Sequence, residues 1–348
     1  MGHNEMTVPA SYIKIANRLA DIAGPIVARY FRSDLTIADK ADASPVTAAD
    51  REAEAAIRAV LEAECPDHGI LGEEHGAENI EAEYVWVLDP IDGTKAFVTG
   101  KPLFGTLIAL CQNGVPVLGV IDQPILKERW LGATGHPTTY NGEKISTRAC
   151  SDLSEAWLYA TSPAMFKGAD EAAFNRLADS VKFPLYGADC YAYGLLASGF
   201  TDIVCEATMQ PYDYCALVPV VEGAGGKMSD WAGKPLTLNA DGRVLAVRVC
   251  HVHPAVQIVV HPVVAVVAVE DPVAVGVDLT SRDLAVAVVV PAVADLDGAR
   301  VDGRVVVVAV GRRRVAVAVV VGEAAALVDH AVAVVVQPVA DLDGPRVD

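Results

Sequence analysis

The segment WVLDPIDGTKAF (86–97) puts Asp89 and Asp92 where an apolar run gives out. Hard carboxylate oxygens meeting a substrate phosphate are the donors that Mg²⁺ prefers. Pro90 fixes a turn between the two acids, the backbone carbonyl of Ile91 lies between them, and Gly93 lets a ligand approach the main chain. Where Asp92-Gly93-Thr94 opens a helix, the N–H groups of Gly93 and Thr94 would cradle a phosphate. Upstream, LGEEHG (71–76) is a turn presenting Glu73 and Glu74; downstream, in PYDYCALVPVVEGAGG (211–226), Asp213 stands just ahead of an apolar helix. Each segment alone has an ordinary reading: a turn with a helix cap, solvated loop acids, a helix N-cap. Their joint occurrence is far more specific.

The elements that must position these acids follow from apolar spacing. Tyr12 to Tyr30 has apolar residues at helical intervals, interrupted near Gly24-Pro25, and Thr47 precedes a helical run from Ala48 to Glu64 that it is placed to cap. Tyr84 to Leu88 reads as a strand that ends at Asp89, where Pro90 breaks it. Leu107 to Cys111 and Pro116 to Ile121 read as strands joined by the turn Gln112-Asn113-Gly114. Further on, Ala188 to Ser198 is helical, Asp202 to Cys205 a strand, Cys215 to Ala224 a helix closed by Gly225-Gly226, and Arg243 to Ala246 a strand. Helical layers mixed with sheets predict an α/β or α+β layered architecture.

The net charge of −18 over 348 residues argues against nucleic acid, which needs an excess of Lys and Arg. Seven cysteines with no CxxC pair give neither a disulfide framework nor a zinc ribbon, which fits a reducing cytoplasm. The amino terminus lacks the apolar core of a signal peptide, and the long uncharged stretch, Cys250 to Val269, carries two prolines and three histidines; no membrane partner is expected.

The statistics change after Ala246. Residues 1–246 use every residue type, whereas 247–348 contain no Lys, Asn, Met, Phe, Tyr or Trp and are dominated by Val and Ala. The near-copies PAVADLDGARVD (291–302) and QPVADLDGPRVD (337–348) fall in this tail. It reads as a β-rich repeat that binds a partner, as a disordered low-complexity segment, or as out-of-frame translation of a GC-rich gene, the last accounting best for the residue types.

Together with SPVTAAD (44–50), the three acidic segments in this order and spacing resemble the inositol monophosphatase family over about residues 10–246. The resemblance implies an αβαβα sandwich like that of the inositol monophosphatases and fructose bisphosphatases, two or three Mg²⁺ ions, and hydrolysis of a small phosphomonoester by an activated water without a phosphoenzyme. Glu73, Asp89 and the Ile91 carbonyl then match the first metal site, with Asp92 and Asp213 as further ligands and Asp89 shared. Thr94 and Asp50 match the pair that orients and deprotonates the water, Glu73 also counts among the catalytic groups, and Gly93 and Thr94 hold the phosphate. Lys40 occupies the place of a mobile-loop lysine. The cysteines are left to the core, and His75 to a structural or exposed place.

Within that family, KAFVTGKPLFGTLIAL (95–110), TYNGEKISTRAC (139–150) and GADCYAYGLLASG (187–199) look more like histidinol-phosphatases than inositol phosphatases. Ala96 stands where the latter usually carry Asn, and Tyr212 where they often carry Trp. Asp189 and Glu206 would face the cationic amine of histidinol phosphate, although Asp189 also reads as a helix N-cap. The alternatives are an inositol-1-monophosphatase, a sugar or nucleotide phosphatase, or a catalytically silent metal-binding module. A homodimer is the assembly the resemblance implies.

Overall fold

The structure is a computed structural model that describes residues 7–33, 37–39, 45–150 and 152–248, and five strands between 265 and 335. The chain divides into two compact units, Met1–Val256 and Gln257–Asp348.

The first unit begins with α1 (Ala10–Tyr30), whose buried stripe of Ala16, Leu19, Ala20, Ala23 and Val27 has helical spacing. The interruption expected at Gly24-Pro25 does not occur, and Pro25 lies inside the helix. Buried residues on both sides of the proline dock on the sheet, which offsets the roughly 3 kcal/mol that an interior proline costs. A short hairpin, β1 (Ile37–Asp39) and β2 (Pro45–Thr47), precedes α2 (Ala48–Glu64), which has the bounds its spacing predicts. The Thr47 side chain, expected to cap α2, and Lys40 lie outside the described residues.

β3 (Gly69–Gly72), β4 (Gly76–Glu78) and β5 (Tyr84–Asp92) follow, then the short α3 (Thr94–Val98) and the meander β6 (Gly105–Gln112), β7 (Val115–Gln123), β8 (Glu128–Ala133), β9 (His136–Tyr140) and β10 (Glu143–Lys144). They form one eight-stranded sheet, ordered β10-β9-β8-β7-β6-β5-β3-β4, parallel only between β3 and β5. β6 and β7 are joined through Asn113 and Gly114, both left-handed, the two-residue hairpin that Asn-Gly favours. β5 does not end at Pro90 as expected. It continues to Asp92 with its register against β6 shifted between Asp89 and Asp92. A bulge tolerates a residue without an N–H, and the Pro90 carbonyl accepts a hydrogen bond from Thr106 Oγ1 at 2.7 Å.

The second half of the unit contains β11 (Trp157–Ala160), α4 (Ala169–Ser180), β12 (Phe183–Tyr186), α5 (Tyr191–Ala197), β13 (Ile203–Glu206), α6 (Pro211–Tyr214), α7 (Leu217–Gly223), β14 (Gly226–Ser229) and β15 (Val244–Arg248). The strands form a five-stranded sheet, ordered β12-β11-β13-β15-β14. The helix expected over 215–224 is α7, which starts two residues later than expected, and the short α6 precedes it; Pro219 has no N–H to donate to the Cys215 carbonyl one turn back. Asp213 lies within α6 and ahead of the apolar α7.

Helices α1 and α2 cover one face of the large sheet through Trp86, Leu88, Ile108 and Leu110. Val85, Val87, Leu107 and Ala109 on its other face pack with α5, α7 and the inner face of the small sheet. With α4 burying Ala173, Phe174 and Leu177, the layers run α-β-α-β-α. At two places nothing separates α7 from the sheet: a Cβ on Gly119 would stand 1.8 Å from the Ala216 carbonyl oxygen, and one on Gly132 2.2 Å from that of Pro219. Among the described residues no helix is long and apolar enough to cross a membrane, and the six described cysteines are buried free thiols.

In the second unit, β16 (Ala265–Ala268), β17 (Val286–Pro291) and β20 (Ala331–Val335) form a three-stranded sheet, and β18 (Arg304–Ala309) pairs with β19 (Val315–Val320). Apart from Pro291, the two near-copies lie outside the described residues.

Candidate active site

The bulge in β5 delivers Asp89 and Asp92 to the same end of the sheet, and α6 brings in Asp213. Each of the three offers a carboxylate oxygen, and these oxygens lie within 4.8 Å of one another. Local bonds fix every member. Asp89 Oδ1 accepts the Ile91 N–H at 3.1 Å, which sets the turn through Pro90. Asp92 Oδ2 accepts the Cys190 N–H at 2.6 Å from the start of α5. Asp213 is the third residue of α6, and its Oδ2 accepts the Gln210 N–H at 2.7 Å in a reciprocal capping box. Asp213 is thus not the N-cap, which is Gln210, but its N3 capping partner, and that role is compatible with its place among the acids.

Two more acids press on the group. Glu73 follows directly on β3, and its N–H donates to the Leu88 carbonyl at 3.1 Å, which carries it alongside Asp89. Asp50, buried on the first turn of α2, also adds its field at Asp89. Burial, then repulsion from Glu73, Asp92, Asp213 and Asp50, raises the Asp89 carboxyl well above the usual carboxylate range. Burial and the neighbouring Asp189 and Asp213 do the same to Asp92. Asp213 is pushed up to about 7, first by burial and then by Glu73 and Glu206, against the Gln210 hydrogen bond.

Among the described residues no Lys or Arg forms an ion pair with Asp89, Asp92 or Asp213. Carboxylates crowded together with no cationic side chain paired to them among the described residues favour positive charge from elsewhere, and their all-oxygen donor set suits Mg²⁺. The residues present therefore fit that ion. His75 is not in the group; its Nε2 lies 3.1 Å from the Arg51 carbonyl oxygen.

Beside the acids, Gly93 adopts φ +87° and caps α3 in the left-handed region. Thr94 Oγ1 donates to the Ile91 carbonyl at 3.1 Å, so these two predicted residues are in contact. Asp189 packs on Gly93, since a Cβ there would stand 3.1 Å from the Asp189 side chain. Asp189 does not cap a helix: Cys190 holds the N-cap position of α5, and Asp189 itself has φ +47°. Burial raises its carboxyl to about 6, with Lys101 and Lys95 pulling the other way.

Glu206 sits behind Asp189 with both oxygens engaged. Oε1 accepts the Thr161 N–H at 2.8 Å and its hydroxyl at 2.5 Å, and Oε2 accepts the Tyr193 hydroxyl at 3.1 Å. Burial first, opposed by the Thr161 hydrogen bond, pushes Glu206 up to about 7. The nearby Asp189 carboxylate also raises Glu206. Thr161 and Tyr193 escape sequence reading because they gather around Glu206 only through the pairing of β11 with β13 and the packing of α5.

The chain matches the model of the inositol monophosphatase family over residues 9–260. It is 55% identical over 237 residues to the bifunctional phosphatase IMPL2, chloroplastic, of Arabidopsis thaliana, covering 68% of each chain. It is 34% identical over 236 residues to the histidinol-phosphatase of Chlorobaculum parvum, covering 67% of this chain and 91% of that protein. Among solved structures, an inositol monophosphatase from Zymomonas mobilis superposes with a TM-score of 0.67 at 48% identity, covering 73% of this chain and 99% of the other.

Proposed function

The chain belongs to the inositol monophosphatase family and is a phosphomonoester hydrolase, and from that premise we propose that it cleaves histidinol phosphate with Mg²⁺ held by Glu73, Asp89, Asp92, Asp213 and the Ile91 carbonyl. The observation that carries the metal reading is the convergence of the Asp89, Asp92 and Asp213 oxygens beside the Gly93-Thr94 turn. When bound, Mg²⁺ neutralises phosphoryl charge and lowers the pKa of water.

The chain's own groups do the positioning. The N–H groups of Gly93 and Thr94, which open α3, face the phosphate. Thr94 gives its hydroxyl proton to the Ile91 carbonyl, which leaves the Thr94 oxygen to accept from the attacking water. Asp50 takes the proton from that water. The second lone pair of the Ile91 carbonyl remains for a ligand.

For the substrate amine, Asp189 is the acid at hand, because it borders Gly93 and hence the phosphate subsite. Glu206, with both oxygens already committed to Thr161 and Tyr193, acts by tying β11 to α5 behind Asp189. The similarity to the Chlorobaculum histidinol-phosphatase supports this reading. A second reading, inositol 1-phosphate, rests on the likeness to the Zymomonas inositol monophosphatase. Phosphate release from a panel of histidinol phosphate, inositol 1-phosphate and sugar and nucleotide monophosphates, with Mg²⁺ and with EDTA, decides between them. Histidinol phosphate is expected to give the highest kcat/KM; equal rates across the panel would defeat the substrate assignment.

The exposed Phe183, Leu185 and Tyr186 on the edge strand β12 support a homodimer, which sedimentation or light scattering would detect.

A further inference from the structure

The turn that carries Glu73 is gripped from α2. Glu54, fully buried, accepts the Glu74 N–H at Oε2 (2.8 Å) and the His75 N–H at Oε1 (3.2 Å), and Oε1 also accepts Arg58 Nε at 2.8 Å. Arg58 in turn donates through Nη2 to the Gly76 carbonyl. Both ends of the turn are therefore clamped, its amides by a carboxylate and its carbonyl by a guanidinium. The approach is close enough to need a bare residue at the start of the turn: a Cβ on Gly72 would stand 1.9 Å from Glu54 Oε1.

Asp50, Glu54 and Arg58 are spaced four apart and share one buried stripe of α2. The same helix face thus carries the acid assigned to the water and the clamp on the turn. Glu73 itself lies between the clamp and its own bond to the Leu88 carbonyl on β5.

We propose that Glu54 is a positioning residue for metal binding: with Arg58, it fixes the Glu73 turn so that the Glu73 carboxylate meets Asp89 in ligand geometry. The inference rests on Glu73 being a ligand. A hydrogen-bond partner one step behind a metal ligand is worth about 10- to 100-fold in affinity or activity. Glutamine in place of Glu54 keeps its shape but offers one acceptor oxygen where the carboxylate offers two, so at least one of the three donors loses its partner.

The test is Mg²⁺ titration by calorimetry of the full chain and of Glu54→Gln, with melting in EDTA and with Mg²⁺, and Mg²⁺-dependent kinetics. The expected result is a Kd for Mg²⁺ raised about tenfold, a smaller Mg²⁺-induced rise in Tm, and kcat at saturating Mg²⁺ within about threefold of the parent. Glu54→Asp, which keeps the charge but shortens the reach, should fall between the two. A lowered Tm with unchanged Mg²⁺ affinity in Glu54→Gln would show a merely structural role and overturn the proposal. If Glu54→Gln does not fold, Arg58→Lys, which keeps a cation beside Glu54 but loses the fork to Gly76, is judged by the same affinity. Glu73→Gln separates the two layers. Unchanged Mg²⁺ affinity in that variant removes the ligand reading itself, whereas a loss there with none in Glu54→Gln removes only the clamp.

Discussion

Asp213 reaches Asp89 from the opposite half of the chain, and with Asp92 their carboxylate oxygens lie within 4.8 Å of one another where β5 bulges. Burial and the neighbouring acids push both toward holding a proton. On the proposed reading these carboxylates serve cation binding and not the fold.

Asp89→Asn or Asp213→Asn should therefore lower Mg²⁺-dependent phosphatase activity by more than about 100-fold. Melting in EDTA should be unchanged or raised, since a neutral amide ends the repulsion, and the rise in Tm that Mg²⁺ gives the parent should disappear. Full activity in either variant would remove the metal-site assignment.

Asp189→Asn tests the amine contact. Loss of one charge-assisted hydrogen bond, about 1.5–3 kcal/mol, should lower kcat/KM for histidinol phosphate by about 10- to 100-fold and leave inositol 1-phosphate nearly unaffected. Parallel losses on both substrates would point to a general role in the phosphate subsite.

Gly93→Ala puts a methyl 3.1 Å from the Asp189 side chain on a backbone at φ +87°. The left-handed conformation costs a non-glycine residue about 1–2 kcal/mol. The expected result is a modest fall in Tm with a much larger fall in turnover, because the displaced segment is the one proposed to meet the phosphate. Equal, small effects on both would separate Gly93 from the site.

His68 Nδ1 accepts the Trp86 indole N–H at 3.1 Å, so the ring is held neutral, and burial lowers its pKa below the ordinary 6.5 despite Asp67 and Glu83. A base whose folded pKa is depressed binds more protons when unfolded. The stability it contributes is whole above about pH 6.5 and is lost as pH falls through the folded value. Melting curves between pH 8 and 5 should show a fall on the acid side that His68→Gln reduces, since an amide oxygen keeps the Trp86 bond without titrating.

All the proposed ligands and supporting residues, from Asp50 to Asp213, lie in the unit that ends at Val256. A chain cut after that residue should keep its Mg²⁺-dependent activity and Tm; loss of both would give the Val- and Ala-rich tail a role in the enzyme.

Much of this was legible from residue types. The α2 bounds, the Asn113-Gly114 hairpin and the acids at the end of β5 follow from spacing and local turn chemistry. The errors have local causes. Pro90 breaks a regular strand but not a bulged one, and Pro25 is outweighed by the packing on either side of it. Residues that act through others were hidden. Glu54 looks like one more acid on an Ala- and Glu-rich helix until the turn beyond Gly72 folds back on it. Thr161 carries no motif, and only the neighbouring strand gives it Glu206.

The direct seating of α7 on Gly119 and Gly132 has a consequence for how mutational maps of this protein should look. Neither glycine belongs to the acidic cluster, yet a single added carbon at either would shift the helix that follows Asp213 off its bed. A survey that trims side chains to alanine would remove nothing at these positions, and would find among its costliest changes two places where it only adds.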